Sequence, residues 1–259
     1  MKKPSVSIIT SESSGLNVRV IGALVRSNQF EVNRVVFSEG NKPFEVAFLK
    51  KKVKKVFRIG VIGAIIGFCT RHWYLIHSDC LFATCKSLNL TLTKVKFLNS
   101  AATRGALAFD KPTFILSLGN GYIQSDILCL ADKSGLNIHL EKLPDYPGAR
   151  SVIWRIFNGE SRTGYAVHKI TSKIDKGYIH SMTEVDIEFK STLPQTIVCS
   201  LEKITQHIEQ NVARILMDIY QAPQEQHQQE SKRRSYTTPT FFQFLRIWIK
   251  FYQLRNNQR

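Results

Sequence analysis

The chain alternates short apolar runs with small, polar turns, and the runs change period along its length. Val6 to Thr10 reads as a first buried strand. Ser11-Glu12-Ser13-Ser14-Gly15-Leu16-Asn17 is a turn into a helical pattern from Val18 to Arg26, with Val20, Ile21, Leu24 and Val25 apolar. Val32 to Phe37 is a second strand. This βαβ opening implies a parallel sheet with helices on its faces. A strand, a Ser/Gly turn and a helix N-terminus can also form an anion site, because free backbone N–H groups point outward there. Only one glycine is present in the turn, so it is not a dinucleotide fingerprint.

The pattern continues beyond residue 58. Ile59 to Phe68 is apolar over about ten residues and carries Gly60, Gly63 and Gly67. A membrane span needs about twenty apolar residues, so this segment reads as a buried helix covering the sheet, with Lys50–Val56 as a basic lead-in. Leu90 to Val95 is a strand, Ala101 to Leu107 a helix, and Thr113 to Leu118 a buried strand ending in the loop Gly119-Asn120-Gly121-Tyr122-Ile123. Such strand ends carry ligands in open α/β sheets. Ile127 to Ser134 reads as a helix. Leu143 to Gly148 is a Pro/Gly-restricted turn, and Ala149 to Phe157 a helix closed by Asn158-Gly159. Thr163–Thr171 and Tyr178–Ile187 read as an antiparallel pair joined by the loop Ser172–Gly177. Leu193 to Tyr220 is a long amphipathic helix, and Gln221 to Ser235 is a glutamine-rich polar linker.

One short stretch breaks the pattern. In Leu136-Asn137-Ile138-His139-Leu140 the apolar residues share one face of a strand, which places Asn137 and His139 together on the other. Two polar groups on a buried strand need partners. They are either a satisfied hydrogen-bond pair or a site, with an amide able to donate to an oxyanion beside an imidazole able to move a proton.

Composition adds limits. A 259-residue chain with 43% hydrophobic and 10% aromatic content can bury a full core. The net charge of +16 favours an anionic partner: nucleic acid, a phosphorylated substrate or an acidic membrane surface. Val46–Phe109 carries eleven Lys/Arg and one acid, and Ser231–Arg259 carries seven Lys/Arg and none. The five cysteines, at positions 69, 80, 85, 129 and 199, fit no zinc spacing. With no visible N-terminal signal, reduced thiols in a cytoplasmic protein are the expectation.

The run Gly135-Leu-Asn137-Ile-His139, Leu143-Pro144, Tyr146-Pro147-Gly148, Asn158-Gly159-Glu160, Thr163-Gly164 and Ile174-Asp175-Lys-Gly177 resembles the formyltransferase domain. That domain is shared by the glycinamide ribonucleotide, methionyl-tRNA and amino-sugar formyltransferases. The resemblance implies an α/β fold: an open, mostly parallel Rossmann-like sheet of the formyltransferase type, with an antiparallel edge and a short C-terminal appendage. It implies a catalytic domain over residues 1–190, a helix over 191–222, a linker over 223–235 and a basic-aromatic tail over 236–259. It further implies formyl transfer from 10-formyltetrahydrofolate to a primary amine, with Asn137, His139 and Asp175 catalytic and no metal. The pterin would lie between Asn120, Gly121, Tyr122 and Ile123 and a second loop containing Ser172 and Ile174.

The departures shape the acceptor expectation. The family usually has a His-Pro-Ser-Leu-Leu-Pro run, and this chain has Leu140-Glu141-Lys142 after its histidine, a charged pair expected at the mouth of the site. Only about forty residues follow the long helix, too few for the OB-type barrel of the tRNA enzymes, and the ribonucleotide loop is partial at Ser13–Asn17. A small, phosphate-bearing acceptor such as a nucleotide-linked amino sugar is therefore the leading expectation. Methionyl-tRNA bound by the basic surface, hydrolysis of the formyl donor, and a non-catalytic protein of the same fold are the alternatives. The tail Tyr236–Tyr252 is expected to pack back onto the domain; its rival reading is a helix on a membrane surface.

Overall fold

The computed structural model describes residues 3–40, 59–60, 63–70, 72–73, 76, 79–148, 152–222 and 235–258. Seven strands form one sheet: β1 (Ser5–Thr10), β2 (Glu31–Ser38), β3 (Leu92–Val95), β4 (Phe114–Leu118), β5 (Ser134–His139), β6 (Arg162–Lys169) and β7 (Ile179–Asp186). Their order is β3-β2-β1-β4-β5-β6-β7. The first five are parallel, and β6 and β7 add an antiparallel edge. The expected fold class is thus observed. The strand order reverses between β1 and β4, and crevices beside such a switch are where open α/β sheets bind ligands.

Alternation along the strands builds two cores. Val6 and Ile8 of β1, Leu116 of β4 and Leu136 and Ile138 of β5 face α1 (Leu16–Ser27), α2 (Leu81–Ser87) and α6 (Leu193–Gln221). Ile9, Val36 and Ile115 face the other way, toward α3 (Ala101–Asp110) and α4 (Ser125–Leu128). The result is three layers, with the sheet buried on both faces as a parallel sheet requires. Helix starts follow local chemistry: Ser100 caps α3 by accepting from the Thr103 amide, and Thr192 caps α6 by accepting from Gln195.

A third cluster lies beyond the sheet. α5 (Ile153–Asn158) packs against α7 (Phe241–Asn257), with Ile153, Ile156, Phe244, Ile247 and Phe251 buried together. Each such side chain contributes about 1.5–3 kcal/mol on burial, and Thr240 and Gln243 close a capping box at the start of α7. The tail therefore packs back onto the domain through one face, as expected.

Three expectations need correction. Only Ile127 and Leu128 of the expected Ile127–Ser134 helix are helical, as the end of a short helix over Ser125–Leu128; the Asp132 and Lys133 amides bind the Pro112 and Thr113 carbonyls, and Ser134 already belongs to β5. The helix expected from Ala149 begins at Ile153, with residues 149–151 outside the described residues. The described part of Ile59–Phe68 is helical but does not cover the sheet, whose faces are already occupied. Gly60 and Gly63 lie against the rings of Phe241 and Phe244, Ile66 joins the α5–α7 cluster, and Ile65 and Phe68 face solvent. The basic lead-in Lys50–Val56 and most of the polar linker, 223–234, lie outside the described residues.

Candidate active site

The C-terminal ends of β4 and β5 build the site. In β5, Leu136 and Ile138 enter the core, and Asn137 and His139 emerge together on the opposite face. β6 runs antiparallel beside it and sets His168 directly across from Asn137. The Asn137 amide nitrogen lies 3.1 Å from His168 Nε2. His168 Nδ1 lies 3.0 Å from the Lys169 carbonyl, which can only accept, so Nδ1 carries a hydrogen. Nε2 then accepts from Asn137 in the neutral ring and turns donor when the ring is protonated.

Asp175 joins the two histidines. Its carboxylate lies 3.7 Å from His139 Nδ1 and 3.5 Å from His168 Nε2, and it accepts the Gly148 amide at 2.7 Å. Burial pushes the Asp175 carboxyl up. The His168 contact, the His139 charge and the Gly148 amide outweigh that effect and hold it below the usual carboxylate range. Asp175 takes a positive φ of 53°, a conformation Asp tolerates better than most residues. Its loop is drawn in at Gly177, where a Cβ would sit 1.7 Å from the Lys169 carbonyl oxygen. Only glycine lets the two backbones approach this closely.

His139 is oriented by the neighbouring turn. Its Nε2 lies 3.0 Å from the Tyr146 carbonyl, so Nε2 carries the hydrogen and Nδ1 is turned to Asp175. One turn, Leu143 to Gly148, thus supplies a backbone partner to both His139 and Asp175.

A pocket opens beside this cluster. Asn137, His168 and Asp175 line its wall, together with Asn120–Ile123 and part of the loop carrying Asp175. His139 is not on the wall and reaches the pocket through Asp175. Asn120 donates to the Ile9 carbonyl at 2.7 Å and to Ser117 Oγ at 3.1 Å, while its side-chain oxygen accepts from Ser11, so its amide ties the loop to β1. Ile123 is buried under the loop, whereas Tyr122 and Ile174 are exposed at the rim. Lys173 and Ile174 line the pocket; Ser172 is not among its lining residues. A larger cleft of about 410 Å³ lies at the opposite ends of the strands, around Glu31, Asn33 and Lys111. Its Arg34 is already locked to Asp110 by two hydrogen bonds, so that cleft gathers less uncommitted chemistry.

The departure after His139 proves structural. Glu141 is 0% exposed, not at the mouth of the site. It pairs with Arg155 Nε at 2.7 Å and accepts from the Val152 amide and the Thr163 hydroxyl. Arg155 also pairs with Glu160 and lies over the Tyr146 ring at 3.9 Å. Burial pushes the Tyr146 hydroxyl up, and its hydrogen bond to Glu160 adds to the effect. Lys142 reaches Glu184 on β7.

His168, the Gly148 amide and the Glu141–Arg155 pair were not singled out by the sequence. His168 becomes visible only through the β5–β6 register.

The fold is α/β and of the type found in solved formyltransferases. Phosphoribosylglycinamide formyltransferase from Anaplasma phagocytophilum superposes with a TM-score of 0.57 at 12% identity, over 85% of this chain and 88% of that one. The N-formyltransferase from Helicobacter canadensis, solved with folinic acid and dTDP-3-aminofucose, gives 0.56 at 17% identity, over 90% and 70%. At sequence level, residues 114–213 match the Formyl transferase family, which bears out the resemblance carried by the Asn137–Gly177 motifs. GDP-perosamine N-formyltransferase of Brucella melitensis biotype 1 is 34% identical over 109 residues, 40% of this chain and 42% of that protein. The bifunctional polymyxin resistance protein ArnA of Wigglesworthia glossinidia brevipalpis is 40% identical over 83 residues, 32% of this chain and 13% of that protein. The chain thus spans less than half the length of these curated relatives.

Proposed function

We propose that this chain transfers a formyl group from 10-formyltetrahydrofolate to a primary amine on a nucleotide-linked amino sugar. The observation that carries the reading is the meeting of the Asn137 amide, two imidazoles and the Asp175 carboxylate beside a loop-lined pocket at the end of β4. Two similar proteins support the acceptor class, one named for GDP-perosamine and one solved with dTDP-3-aminofucose.

The donor enters between the Gly119–Ile123 loop and the loop of Asp175, where exposed Tyr122 and Ile174 flank the opening. The acceptor amine attacks the formyl carbon. A bond forms to the amine nitrogen, the bond to folate N10 breaks, and the proton lost by the amine ends on N10. Asn137 Nδ2 carries two hydrogens; one rests on His168, and the other donates to the oxygen as it becomes negative. One such donor is worth about 3 kcal/mol of barrier. Asp175, held ionised between His139 and His168, passes the amine proton on. The high positive charge suits a diphosphate-bearing acceptor.

The test is consumption of 10-formyltetrahydrofolate by the purified chain with a panel of amino-sugar nucleotides, and with methionyl-tRNA and acceptor-free controls. Acceptor-dependent turnover with a sugar nucleotide is expected. Turnover only with methionyl-tRNA, or formate release without acceptor, would replace the reading. No turnover under any condition refutes it.

A further inference from the structure

α7 carries more apolar surface than the domain covers. Phe244, Ile247 and Phe251 pack inward. On the neighbouring face Phe242 is 78% exposed and Ile249 59%, and Leu245, Trp248 and Tyr252 are also open to solvent. Residues 242, 245, 249 and 252 recur at three- and four-residue steps, so they form one stripe along the helix. The stripe adjoins a second apolar surface. Gly60 and Gly63 bring a neighbouring helical segment against Phe241 and Phe244, and that segment exposes Ile65 and Phe68, the latter 69% exposed. Exposed apolar side chains gathered on two neighbouring helical segments mark an interaction site.

Charge and residue type identify what covers it. Arg246 and Lys250 follow the stripe along the helix, Arg246 with its guanidinium 4.4 Å from the Phe157 ring centre, and the sequence from residue 231 to 259 holds seven Lys/Arg and no acid. Trp and Tyr beside basic side chains are the composition of a helix lying in a lipid–water interface: the rings sit at headgroup level and the cations meet lipid phosphates. A second copy of the same face would set Arg246 and Lys250 against their own like, with no carboxylate from this segment to answer them. A polyanion such as RNA would answer the charge but leave the aliphatic groups wet. Among the described residues no helix is long and apolar enough to cross a membrane, so the contact is peripheral.

We infer that the outer face of α7, with Ile65 and Phe68, docks this protein onto anionic lipid bilayers. The docking face is separate from the pocket residues, so the inference stands or falls independently of the formyl-transfer reading.

The experiment is flotation of the full chain with vesicles of phosphatidylcholine containing phosphatidylglycerol, against phosphatidylcholine alone. The wild type is expected to float with the anionic vesicles, far less with the neutral ones, and less as salt rises. The double variant Trp248→Glu/Ile249→Glu, whose side chains point outward, is expected to reduce binding by about tenfold or more while keeping the wild-type thermal midpoint. Absence of wild-type flotation overturns the inference, and so does equal flotation of the variant. A dimer in sedimentation equilibrium that the double variant dissociates, without vesicle binding, overturns it in favour of a second copy. Salt-sensitive retention on RNA without vesicle binding overturns it in favour of a nucleic acid.

Discussion

Tyr236 donates its backbone N–H to the Pro147 carbonyl at 2.7 Å and stacks its ring on Tyr146, centroids 5.1 Å apart. The turn gripped in this way is the one that supplies Tyr146 O to His139 and the Gly148 amide to Asp175. Trp154 adds a ring contact to Tyr236 and donates to the Thr237 carbonyl at 2.9 Å. The segment leading into α7 therefore sets the geometry of the candidate site. Tyr236→Ala is expected to lower kcat for the proposed formyl transfer by about tenfold to 10²-fold, the cost of misplacing reacting groups by up to 1 Å. Tyr236→Phe keeps the ring and the amide and is expected to stay near wild type. Steady-state kinetics of the two variants, each corrected for its folded fraction, check this.

Asn137→Ala removes the proposed oxyanion donor and is expected to lower kcat by about 10²–10³-fold with folate-analogue binding retained. His168→Ala is expected to act on the same step, because His168 fixes the Asn137 amide and faces Asp175. The double variant should therefore lose much less than the product of the two single losses. Fully multiplicative losses would show that the two side chains act separately.

Glu141 offers a stability test remote from the pocket. Its carboxylate is the partner of Arg155 and holds the Val152 amide, and Val152 sits at φ 74°, a strained conformation for a β-branched residue. Glu141→Gln is expected to cost about 1–3 kcal/mol, because it removes the fully buried carboxylate that faces Arg155 Nε while Glu160 stays paired with the same guanidinium. Replacing the pair together, as Glu141→Leu/Arg155→Met, is expected to recover part of that loss. Urea unfolding at neutral pH reads both.

His180 is one group through which acid is expected to weaken the fold. Burial pushes the imidazole from 6.5 down to about 4, with the charges of Lys169 and His168 adding, and its Nε2 is buried without a hydrogen-bond partner among the described residues. The folded protein binds this proton more weakly than the unfolded chain, so acid favours unfolding. The loss begins as pH falls below 6.5 and is complete near 4. Solvent screening reduces it to roughly 1–2 kcal/mol. His180→Asn is expected to flatten the fall in urea midpoint between pH 6.5 and 4. Asp175 and Glu184, both held below their usual range, act in a more acidic window, as pH falls through their lowered values.

Much of this architecture was legible because short apolar runs bounded by turn residues leave little choice of element, and the period of two in Leu136–His139 displayed Asn137 and His139 directly. His168 was not legible, because its place opposite Asn137 depends on the pairing of two strands separated by a turn and a helix. Glu141 was misplaced for a local reason. The sequence reads as a strand through Leu140, which carries the next residues outward to the mouth. The strand stops at His139 instead, and the chain folds inward to meet Arg155. The helix expected over Ile127–Ser134 stopped early because the Asp132 and Lys133 amides are used by the end of the preceding crossover.

The grip of Tyr236 on Pro147 has a consequence for the order in which the protein matures. On the ribosome, Asn137, His139, His168 and Asp175 all emerge before the residue that fastens the turn between them. None of the seven strands comes from the segment after residue 186, whereas the turn is fastened only once Tyr236 is in place. A chain released short of Tyr236 would carry all four side chains with the turn between them unfastened.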